Sequence, residues 1–93
     1  MIYYLLQPCR TTAGFMSTLK RRVKLHLGDA ASALEEAGFS VMDVGPLLIV
    51  QKDVELTLYA TGKMIAKTTD REKADLAVRE VYSILLPELG GGA

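Results

Sequence analysis

The side chains able to do acid–base, nucleophilic or metal chemistry are few and form no catalytic pattern. The chain has one cysteine, Cys9, and one histidine, His26, which excludes an internal disulfide, a zinc site made of cysteines and a histidine-rich metal site. A nucleophilic Cys9–His26 pair would need a group that orients the histidine and activates the thiol, and the neighbouring residues suggest neither. We therefore expect a protein that is not an enzyme and that uses no metal or cofactor.

The charged side chains are distributed unevenly along a chain whose net charge is zero. Among the 93 residues there are eleven bases and eleven acids. The first acid is Asp29, so residues 1–28 carry a charge of +5 and residues 29–93 a charge of −5. A neutral protein of this kind can present one basic face and one acidic face. A domain that is basic throughout is excluded.

The composition is that of one globular domain. Hydrophobic residues make up 49% and charged residues 24% of the chain, which is long enough for a single core. No apolar run approaches the roughly 20 residues that span a bilayer, and residues 1–6 lack the basic leader and cleavage site of a signal peptide. With a single cysteine, a reducing compartment is the default. We expect a cytoplasmic protein with no membrane contact.

Hydrophobic periodicity predicts the elements that position the charged side chains. Residues 18–27 alternate between apolar and polar types, which predicts one half-buried strand. Gly62 supplies the positive φ that a hairpin turn needs. Residues 1–16 are expected to form an N-terminal strand or arm, and residues 89–93 a flexible tail. Four further strands joined by tight turns are expected over residues 39–44, 47–52, 55–60 and 63–68.

Apolar residues at helical spacing predict two amphipathic helices. The first covers residues 30–37, with Asp29 as its N-cap and Gly38 at the position after its C-cap. The second begins at a capping box of the type Ser/Thr-x-x-Glu, Thr69–Glu72, and ends before Pro87. Both helices must bury an apolar stripe against the strands.

These elements predict an α+β fold: a single antiparallel sheet of about five strands with both helices on one face, plus the N-terminal arm or extra strand. No element remains to cover the other face of the sheet, which we call the open face. Strand parity puts four cations on it, with Glu55 near its edge. The side chains expected there are Arg22, Lys24, His26, Thr57, Tyr59, Lys63, Ile65 and Lys67.

The segment Leu58-Tyr59-Ala60-Thr61-Gly62-Lys63-Met64-Ile65 resembles the hairpin in one repeat of the TATA-box-binding protein family. The family pattern there is aliphatic, Phe, small, Ser, Gly, Lys, Met, aliphatic. The resemblance continues into the second helix through Glu72 and Tyr82. Upstream, Leu25-His26-Leu27-Gly28 resembles the family's Val-Asn-Leu-Gly. The whole resemblance covers roughly residues 17–90, and on this basis residues 17–88 are identified as a domain of this type.

The resemblance implies a curved sheet whose concave face lies in the DNA minor groove and whose convex face carries the helices. It puts His26 at a base-contacting position, Tyr59 at the position of a wedge phenylalanine and Lys63 at that of a phosphate-binding lysine. Ile65 and Lys67 fall at groove-facing positions. The family carries two repeats in one chain, whereas this chain has one, so a complete saddle would need a homodimer.

The leading functional hypothesis is a binding module that uses the open face, with nucleic acid as the best-supported partner class. Phosphates would then meet Arg22, Lys24, Lys63 and Lys67, and a base would stack on Tyr59. One alternative is a protein-interaction or homodimerisation module, and another is a small-ligand regulatory domain. The structural alternative is a solvated face whose lysines discourage aggregation.

Overall fold

A computed structural model describes residues 4–9, 13–21 and 23–86 of the chain. Six strands and two helices of these residues form one α+β unit, with two strands before the first helix and four between the helices. The strands are β1 (Tyr4–Pro8), β2 (Phe15–Leu19), β3 (Ser40–Asp43), β4 (Leu47–Gln51), β5 (Glu55–Tyr59) and β6 (Met64–Ala66). The helices are α1 (Leu27–Glu36), between β2 and β3, and α2 (Arg71–Leu85), after β6.

The strands of the described residues form a single sheet in the order β1-β2-β6-β5-β4-β3, with every neighbouring pair antiparallel. The predicted fold class is confirmed, although the sheet has six strands rather than about five. The additional strand is β1, which lies at one edge and pairs with β2 from Tyr4↔Leu19 to Pro8↔Phe15. The other edge is β3. Part of the predicted N-terminal arm is therefore an integral strand.

The predicted strand over residues 18–27 is wrong. β2 ends at Leu19, and residues 23–26 belong to no strand or helix. Among the described backbone groups of this segment, the amide of Leu25 donates to the carbonyl of Ala60 at 2.7 Å. Val23 and Leu25 are half-buried against the core. An extended segment that packs its apolar side chains inward alternates like a strand without pairing as one, which accounts for the error.

The core lies between the sheet and the two helices, on one face of the sheet only. Alternate residues of the central strands point into it, as expected for a sheet covered on one side. Both helices contribute to the same hydrophobic cluster, with Ala30 and Leu34 from α1 and Val78 and Val81 from α2. The strand residues in the centre of this cluster are Leu48, Val50, Leu56, Leu58, Met64 and Ala66, all at most 1% exposed.

The helix starts differ from the predicted caps. α1 begins two residues before Asp29, so Asp29 lies in its first turn and His26 occupies the N-cap position without a side-chain hydrogen bond. At α2 the cap is Asp70 rather than Thr69: its carboxylate accepts from the amides of Glu72 and Lys73. Both amides bond Oδ1 of Asp70, and a charged carboxylate oxygen accepts amide hydrogen bonds more strongly than a neutral hydroxyl does.

The β5–β6 hairpin is held to helix α2 by a buried hydrogen-bond chain. The Tyr82 hydroxyl donates to the carbonyl of Gly62 at 2.8 Å, and Ser17 Oγ lies 2.8 Å from the same hydroxyl. Because the tyrosine has one proton, Ser17 is the donor in the second bond. Gly62 has a φ of +89°, as predicted, and a Cβ there would lie 2.2 Å from Cδ1 of Leu19. The hydrogen bonds of Tyr82 thus fix the position of the hairpin that carries Tyr59 and Lys63.

Neither helix of the described part of the chain is long and apolar enough to cross a membrane. The predicted tail over residues 89–93 and the predicted helix end at Pro87 lie outside the described residues.

Candidate interaction surface on the open sheet face

The open face consists of the strand residues that alternate with the core residues. Its centre is a row in which each residue is the register partner of the next, from one edge of the sheet to the other. This middle row contains no charged residue and four apolar ones among its six members. Its members, in strand order, are Gln7, Met16, Ile65, Thr57, Ile49 and Met42.

A second row lies beside the middle row, on the side of the β5–β6 turn, and we call it the turn-side row. Two of its links are register pairs, Leu5↔Thr18 and Tyr59↔Leu47. The amide of Tyr59 donates to the Lys63 carbonyl at 2.9 Å, and the amide of Val44 to the Leu47 carbonyl at 3.1 Å. Thr18 and Lys63, the next residues after the register pair Ser17↔Met64, line one surface depression. The members of the turn-side row are Leu5, Thr18, Lys63, Tyr59, Leu47 and Val44.

The third row, on the opposite side of the middle row, is polar, and we call it the ion-pair row. Lys67 Nζ lies 2.8 Å from Glu55 Oε2, and the amide of Lys67 donates to the carbonyl of the same glutamate. Gln51 and Ser40 extend the row across β4 and β3. The Lys67 side chain is 53% exposed, so the pair is screened by water and contributes at most about 1 kcal/mol to stability. Its effect is to cancel the positive charge of Lys67.

The second cation of the face, Lys63, lies over an aromatic ring. Its Nζ is 5.2 Å from the ring centroid of Tyr59, within the range of a cation–π contact. Both residues flank the β5–β6 turn, whose position depends on the buried Tyr82–Gly62 hydrogen bond. The arrangement holds the Lys63 ammonium group over the Tyr59 ring.

The apolar side chains of the open face continue to both lateral edges. Leu5 on β1 is 48% exposed, and Met42 and Val44 at the β3 edge are 62% and 49% exposed. Among the residues between them, Thr18 is exposed, and the half-buried ones are Met16, Lys63, Ile65, Thr57, Tyr59, Leu47 and Ile49. A solvated antiparallel sheet face is normally polar, whereas a contiguous apolar face marks an interaction surface.

The predicted site residues are only partly brought together. Tyr59, Lys63, Ile65 and Lys67 share the open face, as predicted, together with Thr57 and Glu55. Lys24 and His26 do not: they line a cleft formed with α1 and the end of α2, near Ala33 and Leu85. They leave the sheet because β2 ends before them. Arg22 lies outside the described residues.

Of the apolar side chains that form the middle row, the sequence predicts Ile65 on the open face but not Met16, Ile49 or Met42. Leu47-Leu48-Ile49-Val50 is an unbroken apolar run, and such runs are typical of strands buried on both sides. Leu48 and Val50 are completely buried in the core. Leu47 and Ile49 alternate with them and therefore point to the open face, where a solvated strand would carry polar residues. Met16 could not be found in this way, because the predicted strand started after it.

Away from the open face, a polar cluster joins the edge strand β1 to α2. The Tyr4 hydroxyl donates to Asp75 Oδ1, and Arg79 bonds both the hydroxyl, from Nε at 3.3 Å, and Asp75 Oδ2, from Nη2 at 2.9 Å. Burial first, and then the hydrogen bond to Asp75, raise the pKa of Tyr4 above the usual 10.0. The Tyr4 and Tyr82 rings are 5.4 Å apart. The polar groups of Tyr4, Asp75 and Arg79 hydrogen-bond one another, and these bonds attach β1 to α2.

A cleft of about 330 Å³ lies on the helix side between α2 and the β4–β5 turn. Its base includes Phe39, and Lys52 lies over that ring at 5.1 Å while bonding Glu80 at 3.0 Å. Within the described ranges, no group of three acidic, histidine or cysteine side chains could hold a metal ion.

Comparison with known proteins gives no match: none to a protein-family model, none to a curated protein and none to a solved structure. The likeness to the TATA-box-binding protein family therefore stays a prediction from the hairpin and helix residues.

Proposed function

We propose that this chain is a non-enzymatic protein-interaction module whose open face receives a protein partner. The observation that carries the proposal is the middle row, an uncharged and largely apolar line across all strands of the sheet. Burying apolar surface is the main favourable term in protein association. We infer from the single cysteine that the module acts in the reducing cytoplasm.

The charges of the face favour a protein over a polyanion. Lys63 and Lys67 are the cations among the described residues of the face, and Glu55 neutralises Lys67. Lys24 and His26, expected to extend the basic area, lie in the cleft beside α1. Nucleic-acid affinity depends largely on phosphate neutralisation, so two lysines, one of them paired, support it weakly.

Nucleic acid remains the second candidate because of the Lys63–Tyr59 arrangement. A cation beside a half-buried aromatic ring on the sheet surface is suited to a phosphate and a stacked base. If both lysines contact phosphates, log affinity for duplex DNA should fall with log salt with a slope of about −1.8 per chain. A salt-independent affinity, or no binding at about 50 mM salt, would eliminate this candidate.

The protein-interaction proposal can be tested by site-specific photo-crosslinking in the cells that make the protein. A photoreactive amino acid is placed at Thr18, an exposed position of the turn-side row, and in a matched variant at Ser83, an exposed position of α2. We expect a protein adduct at Thr18 that is missing at Ser83. Nucleic-acid adducts at Thr18 would favour the second candidate. Equal adducts at both positions, or none at Thr18, would overturn the proposal.

A further inference from the structure

We propose that the partner of the open face is a second copy of this chain, packed face to face and related by a two-fold axis. The axis lies between the two sheets, runs parallel to the strands and passes over the boundary between β5 and β6. This inference rests on the proposed function and names its partner. The β5–β6 boundary divides the sheet into two sets of three strands, β1-β2-β6 and β5-β4-β3. Rotation about this axis brings each strand of one set opposite a strand of the other set in the second copy.

The rotation keeps each row opposite the same row of the second copy. β6 then faces β5, β2 faces β4, and β1 faces β3. Packed sheets lie about 10 Å apart with their strands within about 30° of each other. Side chains that face each other across the interface can therefore interdigitate. A surface that pairs with itself must be self-complementary about the axis, and the residues of the open face can be examined for that property.

The ion-pair row is self-complementary about this axis. Lys67 beside β6 faces Glu55 of β5 in the second copy, and the symmetry generates the reciprocal pair. Each intrachain Glu55–Lys67 pair, 2.8 Å long, would thus be joined to an identical pair of opposite direction. Charges that alternate in this way attract, and complementary charges fix the register of an interface.

The other two rows are also compatible. In the turn-side row, Lys63 faces Tyr59 of the second copy, which offers a second cation–π contact of the kind present within the chain. In the middle row, Met16 faces Ile49 of the second copy. At the edges, Leu5 faces Val44, and these side chains are 48% and 49% exposed in the single chain. No like charges meet among the described residues of the face.

The alternative face-to-face arrangement, with the axis perpendicular to the strands, is unfavourable. It would bring each strand opposite itself and exchange the ion-pair row with the turn-side row. Lys67 would then face Lys63 of the second copy, and Glu55 would face Tyr59. Like charges brought together at an interface are repulsive, so the charge pattern selects the first axis.

The size of the face predicts a weak dimer. Six strands about 4.8 Å apart, the longest of them five residues, give a face of at most roughly 24 by 17 Å, about half of the 800 Å² that each partner buries in a standard interface. We therefore expect a dissociation constant in the micromolar range rather than an obligate dimer. Sedimentation of the intact chain from about 1 to 500 µM covers that range.

The decisive experiment uses two charge-reversed variants, Glu55→Lys and Lys67→Glu. Each alone would place like charges across the interface, and we expect its self-association to weaken at least about tenfold. An equimolar mixture, with one variant isotopically labelled for native mass spectrometry, should restore dimers, since the mixed dimer regains both ion pairs between chains. A purely intrachain role of the pair would not be rescued by mixing.

The controls separate this effect from folding. Lys52→Glu and Glu80→Lys reverse an exposed ion pair on the helix side, 3.0 Å long, and should leave self-association unchanged. In the unmodified chain, concentration-dependent methyl shifts should occur at Met16, Ile49 and Ile65 but not at exposed Leu76, which requires no variant.

A chain that stays monomeric at 500 µM, or a mixture that fails to restore dimers, would overturn the inference. If photo-crosslinking at Thr18 then identifies a different protein, the proposed function survives and only its assignment to a second copy fails. If Thr18 gives no protein adduct either, both fail.

Discussion

The hydroxyl of Tyr82 on α2 donates a hydrogen bond to the backbone carbonyl of Gly62 in the β5–β6 turn, 2.8 Å away, while accepting one from Ser17 on β2. Tyr82 is 1% exposed and Ser17 is fully buried, so no bulk water can replace either partner. One helix residue therefore holds the turn between Tyr59 and Lys63. A substitution at Tyr82 in the core should change the positions of these two side chains on the open face.

Loss of this hydroxyl should destabilise the fold. Tyr82→Phe leaves a buried carbonyl and a buried serine without their partner, which costs about 1–3 kcal/mol. Urea denaturation followed by circular dichroism measures the loss. Tyr59→Phe, which removes a hydroxyl on the open face, should change the free energy of unfolding by less than about 0.5 kcal/mol. Equal effects of the two substitutions would contradict the buried chain.

The anchor between β1 and α2 should depend on pH through Tyr4. Its pKa is raised in the folded state, chiefly by burial, so unfolding favours the ionised tyrosine. The stabilising contribution is complete below the unfolded value of about 10 and is lost as the pH rises through the higher folded value. The free energy of unfolding should fall between pH 9 and 11 more steeply in the natural chain than in Tyr4→Phe. Parallel pH profiles would refute this, because lysine titration affects both chains alike.

Glycine is required at the β5–β6 turn for two separable reasons. Gly45, in the β3–β4 turn, provides the comparison, because it has a positive φ but no close neighbour among the described residues. Gly45→Ala places a Cβ at a φ of +105° in open space and should cost about 1 kcal/mol for the strained backbone alone. Gly62→Ala adds a clash with Cδ1 of Leu19 at 2.2 Å, so we expect a further loss of about 1–3 kcal/mol. Thermal unfolding of both variants checks the difference. A smaller loss at Gly62 than at Gly45 would be inconsistent with this packing.

The two faces of β4 can be distinguished with adjacent leucines. Leu48 is fully buried in the core, so Leu48→Lys should destabilise the protein by more than about 4 kcal/mol or prevent folding. Leu47 lies on the open face, where a lysine stem can lie along the sheet, and Leu47→Lys should change stability by less than about 1 kcal/mol. Chemical denaturation measures both, and the reverse order would mean that the strand faces are exchanged.

The elements that were predicted correctly are those whose signal is local. Alternation and Gly62 predict the β5–β6 hairpin, and its face is predicted correctly because a tight turn fixes the register of the two strands that it joins. Tyr59, Lys63, Ile65 and Lys67 therefore share a surface as predicted. The second helix was found from its apolar stripe, although its cap proved to be Asp70, since neighbouring polar residues at a helix start are nearly equivalent by type.

The sequence by itself determined the α+β class, the two helices and the hairpin, because periodicity and turn residues are properties of short segments. Tertiary structure alone decided that β1 joins the sheet, that residues 23–26 leave it, and that Lys24 and His26 lie beside α1. It also decided that Met16, Ile65, Thr57 and Ile49 form one row, since a row across strands depends on pairing between residues far apart in the chain. Alternation is the same for a paired strand and an unpaired extended segment; only the hydrogen-bond partners distinguish them.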